Sequence, residues 1–176
     1  MDVIDLLTND HAAVNALFGR FKQASKPETK QELANEIVHE LSVHAAVEEN
    51  FVYPLMRAKL DNGSEKADHA IEEHGEVKRL LADIEKLDPD NADFDKKMEK
   101  VTESVRHHVE EEEGELFPEL RSNTSPDTRE KMGSLVEKAK SVVPTHPHPL
   151  VPGTATAQLL AGPWASIVDH VRDLVA

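Results

Sequence analysis

Two stretches of this chain carry the same chemistry: HAAVEENFVYP at His44 to Pro54 and HVEEEEGELFP at His108 to Pro118. Each contains His-x-x-x-Glu, His44 with Glu48 and His108 with Glu112. On a helix that spacing stacks imidazole and carboxylate on one face, one turn apart. Upstream of each copy stands another histidine on an apolar stripe, His11 before the first and His74 before the second. Buried imidazoles and carboxylates are costly unless paired or metal-bound. Mixed nitrogen and oxygen donors of this kind suit iron, manganese or zinc. With four histidines and only two carboxylates, two ions are adequately ligated only if the glutamates bridge them.

The elements that must position these residues are helices. Ile4, Leu7, His11, Val14, Phe18 and Phe21 recur at helical period, predicting a first helix over about 2–24. The poor helix formers Thr8-Asn9-Asp10 leave a later start at Thr8 open. A second helix is predicted over about 28–60 and a third from Ser64, as N-cap, to about Leu87. A fourth covers about 92–120. Pro54 and Pro118 fall near the ends of the second and fourth, where they are expected to kink or stop them. Run up-down-up-down, these helices place all six side chains roughly 12–24 Å from one end of the bundle, so they can share one layer.

Beyond Ser122 the character changes. The chain divides into a four-helix bundle at 1–122 and a C-terminal addition at 123–176. The addition comprises a helix from Ser125 to Lys140, a proline-rich THPHPLVPG segment and a short amphipathic helix near Trp164–Val175. These are expected to strap onto the bundle, with a partner-binding last helix as the alternative. The predicted fold is therefore all-α, an antiparallel four-helix bundle with additional C-terminal helices.

Composition narrows the partners. With net charge −14, the 176-residue chain repels phosphate backbones and anionic membranes. It has no cysteine, which removes disulfides, thiolate metal sites and cysteine nucleophiles. No run approaches a membrane span and no signal pattern opens the chain, so a cytoplasmic setting is expected.

The full pattern, His11, His44-x-x-x-Glu48, His74, His108-x-x-x-Glu112, with Tyr53-Pro54 and Phe117-Pro118 closing the two copies, resembles the hemerythrin-like, HHE-type cation-binding family over residues 1 to about 120. The resemblance implies a non-heme di-iron cofactor, two Fe ions bridged by an oxo or hydroxo group and the two glutamates, and a small diatomic or peroxide ligand. The oxygen-carrying members have a fifth histidine, four positions from its partner on the third helix. Here those positions are Ala70 and Lys78. That departure favours oxidant turnover over reversible oxygen carriage, with oxygen or iron sensing as the alternative.

The remaining candidates are weighed beside these. His107 with Glu111 is a second His-x-x-x-Glu register, one step off the apolar stripe. His69, His39 and His170 read as surface or packing residues, and His146 and His148 as part of the strap. The run Glu110–Glu113 reads as a solvated face, Glu112 excepted. Tyr53, the only tyrosine, is either a core aromatic or a catalytic hydrogen-bond donor beside the metals.

Overall fold

The computed structural model describes residues 1–140, and every element among them is helical. Four antiparallel rods form the bundle. The first is α1 (Val3–Gln23). The second runs from α2 (Pro27–Val47) through a π-helical turn (Glu48–Val52) into α3 (Tyr53–Lys59). The third is α4 (Gly63–Ile84). The fourth runs from α5 (Ala92–Glu111) through a π-helical turn (Glu112–Leu116) into α6 (Phe117–Asn123). A fifth helix, α7 (Pro126–Lys140), packs against α1 and α2 through buried Met132, Val136 and Ala139. The strap and the helix expected near Trp164–Val175 lie outside the described residues.

Local chemistry sets the helix starts. Asp2 caps α1 by accepting from the Ile4 N–H at 2.9 Å, so the helix runs through Thr8-Asn9-Asp10 rather than starting there. Asp10 recovers its poor propensity through tertiary contacts with Lys140 and His44. The third rod starts two residues earlier than expected. Asn62, not Ser64, occupies the N-cap position, with φ 54. Gly63 comes next because a Cβ there would meet the Met56 carbonyl oxygen at 2.2 Å.

The two prolines neither stop nor simply kink their rods. Pro54 has no N–H, and its ring would clash with the carbonyl of Asn50 in an α-helix; Pro118 stands in the same relation to Gly114. The chain answers by widening the turn. The Tyr53 and Phe117 N–H groups bond five residues back, to the Glu48 and Glu112 carbonyls. Both π turns thus open at a motif glutamate, the kind of place where such turns gather.

The apolar interior is divided. One cluster joins Leu7, Val47, Phe51, Leu55, Phe117 and Met132. The other joins Phe18, Ile37, Leu41, Leu81, Phe94 and Val101. The six motif residues lie between them in every rod: His11 between Leu7 and Val14, His44 with Glu48 between Leu41 and Phe51, His74 between Ala70 and Val77, and His108 with Glu112 between Val105 and Leu116. Each apolar half keeps this polar layer away from water.

Candidate metal centre

All six motif side chains are buried, and Glu48 and Glu112 are sealed completely. His11 and His44 face each other with 3.1 Å between their Nε2 atoms, and His74 and His108 with 3.0 Å. Each glutamate reaches across both pairs. Glu48 Oε2 lies 3.1 Å from His44 Nε2 and 3.4 Å from His74 Nε2. Glu112 offers Oε2 to His11 at 3.4 Å and Oε1 to His108 at 3.5 Å. Two ligand groups result, His11–His44–Glu48–Glu112 and His74–His108–Glu48.

The donors fit bound metal. Glu48 Oε1 and Glu112 Oε2 are buried with no hydrogen-bond partner. Such orphaned acceptors cost on the order of 1–3 kcal/mol each in a dry interior. A bound cation would satisfy them.

The outward nitrogens show how the rings are held. His11 Nδ1 lies 2.8 Å from Glu113, His74 Nδ1 3.0 Å from Glu49, and His108 Nδ1 2.7 Å from Glu73. His44 Nδ1 faces Asp10 at 3.6 Å, longer than a good hydrogen bond. A carboxylate can only accept, so in a neutral ring it draws the proton to Nδ1 and would leave the Nε2 lone pair free to face an ion. The four carboxylates form a ring. Asp10, beside His11 in sequence, serves His44; Glu49, beside Glu48, serves His74. Glu73, beside His74, serves His108; Glu113, beside Glu112, serves His11. Adjacent residues on a helix are about 100° apart, so the neighbour of an inward ligand points at the next rod. The sequence reading missed these four. Glu113 stays exposed, as expected of a glutamate run that is mostly a solvated face apart from Glu112, yet it still reaches His11. The available signal was the acid beside an inward residue on every rod.

Charge follows from this geometry. Burial pulls the His44 imidazole down, but the facing Glu48, Asp10 and Glu112 carboxylates override it and raise its pKa to about 10. Burial likewise opposes charge on His74, and Glu48 with Glu49 raise it to about 9. Burial raises Glu48, yet His44 and His74 hold it well below the usual carboxylate range. Glu73 is lowered by its bond to His108. The layer is therefore built for positive charge among its carboxylates, whether carried by protons or by ions.

Tyr53 lies inside this cluster. Its hydroxyl is 3.1 Å from His74 Nε2, 3.1 Å from Glu112 Oε1, 3.4 Å from Glu48 Oε2 and 3.5 Å from His108 Nε2. In an ideal α-helix, five residues turn about 500°, which would swing Tyr53 about 140° away from Glu48. The wider π turn brings it back over the ligands. Its counterpart Phe117 stacks on His11 with ring centroids 5.8 Å apart and carries no polar atom. One hydroxyl thus makes a near-symmetric site asymmetric. Burial, with Glu112 and Glu48, holds the phenol well above its usual pKa.

The structure turns His108 inward and leaves the His107 side chain 65% exposed. His39 is exposed, and so is His69. His146, His148 and His170 lie outside the described residues. Neither position considered for a fifth histidine supplies a ligand: Ala70 is buried in the core, and Lys78 donates to Glu49 at 2.5 Å.

Comparison with known proteins agrees with this layer. The family described as the hemerythrin HHE cation binding domain matches residues 2–120. The chain belongs to this family. A hemerythrin-like protein of Schizosaccharomyces pombe is 30% identical over 174 residues, covering 98% of this chain and 86% of the relative. A protein of Nostoc sp. named as a DNA nickase is 32% identical over 143 residues, covering 81% of this chain. The chain spans only 40% of that relative's length. The crystal structure of a hemerythrin HHE cation-binding domain-containing protein from Mycobacterium kansasii shares the fold. Its TM-score is 0.67 at 17% identity, with 97% of this chain and 99% of that chain covered. The hemerythrin domain here is thus a metal-binding helical bundle with a His/Glu cluster able to hold metal. No described helix is long and apolar enough to cross a membrane.

Proposed function

We propose that this chain is a non-heme di-iron protein that decomposes peroxide, or a related small oxidant or nitrogen oxide, in stress defence. One ion would be held by His11 and His44, the other by His74 and His108, with Glu48 and Glu112 shared. When bound, the iron pair supplies a two-electron reservoir: one peroxide takes two electrons and two protons to give two waters, and a second returns them and leaves as dioxygen.

The observation that carries the reading is a cavity of about 30 Å³ against all four histidines, otherwise walled largely by apolar residues including Leu41, Val77, Leu81 and Val105. A water needs about 10–15 Å³ on this measure, so the space suits a diatomic or a peroxide. Tyr53 supplies the other requirement. Tyr53 does not line the cavity; its hydroxyl stays protonated within hydrogen-bonding reach of a shared glutamate and of His74, whose ring does line it. From there it would donate to an oxidant drawn in among the ligands. The outer carboxylates keep the imidazoles oriented, and the apolar walls limit water.

Net charge −14 opposes a phosphate backbone, so the nickase activity named for the Nostoc relative is not carried over. A second reading, oxygen or iron sensing without turnover, is favoured by one contact. Lys140 of α7 grips Asp10 at 2.5–2.6 Å, and Asp10 faces His44, so the centre touches the C-terminal helix. Iron-loaded protein should evolve oxygen from hydrogen peroxide. A spectral change that reverses when oxygen is removed, with no evolution from peroxide, would decide for sensing.

A further inference from the structure

The chain holds two more His-x-x-x-Glu pairs that the buried centre does not use: His69 with Glu73 on α4, and His107 with Glu111 on α5. They face each other across the surface of these two helices. His69 Nε2 lies 3.4 Å from Glu111 Oε2 and 3.8 Å from Glu73 Oε1. His107 Nε2 lies 3.3 Å from Glu111 Oε1 and 3.9 Å from Glu73 Oε1. The donors of His69, Glu73 and Glu111 all fall within 4.8 Å of one another. Ligands about 2.1 Å from a tetrahedral ion are roughly 3.4 Å apart. The cluster is therefore near a coordinating spacing and needs only small side-chain adjustments. Solvent-exposed histidine–glutamate pairs contribute little stability alone, so stability does not explain four such contacts converging here.

Two further observations tie the cluster to the interior. A cleft of about 1020 Å³ is lined by His69, Glu73 and Glu111 and also by the buried ligands His108 and Glu112. Glu73 faces both ways: Oε1 looks to His69 and His107, while Oε2 bonds His108 Nδ1 at 2.7 Å.

We propose that His69, Glu73, His107 and Glu111 form a surface site for a divalent first-row metal ion, from which the buried centre is loaded. The loading role rests on reading the six buried residues as a metal centre; the surface site itself does not. Imidazole and carboxylate donors suit ferrous iron and also zinc and cobalt.

Cobalt(II) serves as the probe for the site. Iron-loaded protein, titrated and then desalted, should retain one cobalt per chain with visible d–d absorption. The His69→Ala/His107→Ala double variant and Glu111→Gln should each lose this ion or bind it at least tenfold more weakly. All three positions are at least 40% exposed, so the variants should fold with parental melting temperatures. Ion-free variant protein mixed with ferrous iron should reach the parent's final iron content several-fold more slowly. A parent that retains no cobalt, variants that retain it fully, or variants that load at the parental rate would each overturn the proposal. A parent that keeps its buried iron but retains no cobalt separates this failure from failure of the di-iron reading.

Discussion

Replacing Tyr53 with phenylalanine removes one oxygen from the centre and nothing else. The ring is fully buried among Val47, Phe51, Leu55 and their neighbours, and phenylalanine preserves that packing. The missing hydroxyl matters differently with and without ions. In ion-free protein it hydrogen-bonds Glu112 Oε1 and His74 Nε2, each at 3.1 Å. Leaving a buried acceptor unpaired costs about 1–3 kcal/mol. At about 3 °C per kcal/mol for a chain of this size, melting should fall by about 3–9 °C. In iron-loaded protein the carboxylate and imidazole are engaged by ions, so melting should move little and iron content not at all. Turnover is the opposite case. A positioned proton donor contributes about 10²–10⁴-fold, so oxygen evolution from peroxide by iron-loaded Tyr53→Phe should fall at least a hundredfold. Turnover within twofold of the parent, at equal iron content, would refute the role and return Tyr53 to a packing residue.

Iron-loaded protein should contain two ions per chain, and Glu48→Ala or Glu112→Ala should lose the pair because each carboxylate faces both histidine pairs. Elemental analysis in which Glu111→Ala did the greater damage would show the wrong His-x-x-x-Glu register on α5. Chelation should lower the melting temperature and ferrous iron restore it, since ions replace an unpaired polar layer. In ion-free protein, His44 and His74 have folded pKa values of about 10 and 9 against an ordinary 6.5. Their contribution is therefore full below pH 6.5 and lost as pH rises toward 10. Thermal melts should show the ion-free form weakening over that window while the gain from iron grows, as fewer protons must be displaced; ion-free protein that became more stable from pH 7 to 10 would contradict this. Gly133→Ala should destabilise despite a helix-propensity gain of about 1 kcal/mol. A Cβ there would lie 2.1 Å from the Met1 carbonyl oxygen and 3.2 Å from the Val3 nitrogen, so α7 must lift from α1. A raised melting temperature would reverse that argument.

The sequence by itself determined the all-α bundle and the buried layer within it. The reason is energetic: a helix repeats every 3.6 residues, and polar side chains on its apolar face are tolerated only when something compensates them. His11, His44, His74 and His108 therefore stood out against Leu7, Leu41, Val77 and Val105, and two aromatic-proline endings aligned the two copies. The same period misjudged the turn after each motif glutamate. It assumes a constant pitch, whereas Pro54 and Pro118 force a wider turn, and only that phase shift carries Tyr53 onto the ligand face. The carboxylate ring was hidden for another reason. Asp10, Glu49, Glu73 and Glu113 look like surface acids on their own helices, and each acquires its role from a histidine 25 to 102 residues away in sequence or, for Asp10, from His44 on the next rod. Which rod stands beside which is a property of the packed bundle. No local pattern of residues contains it.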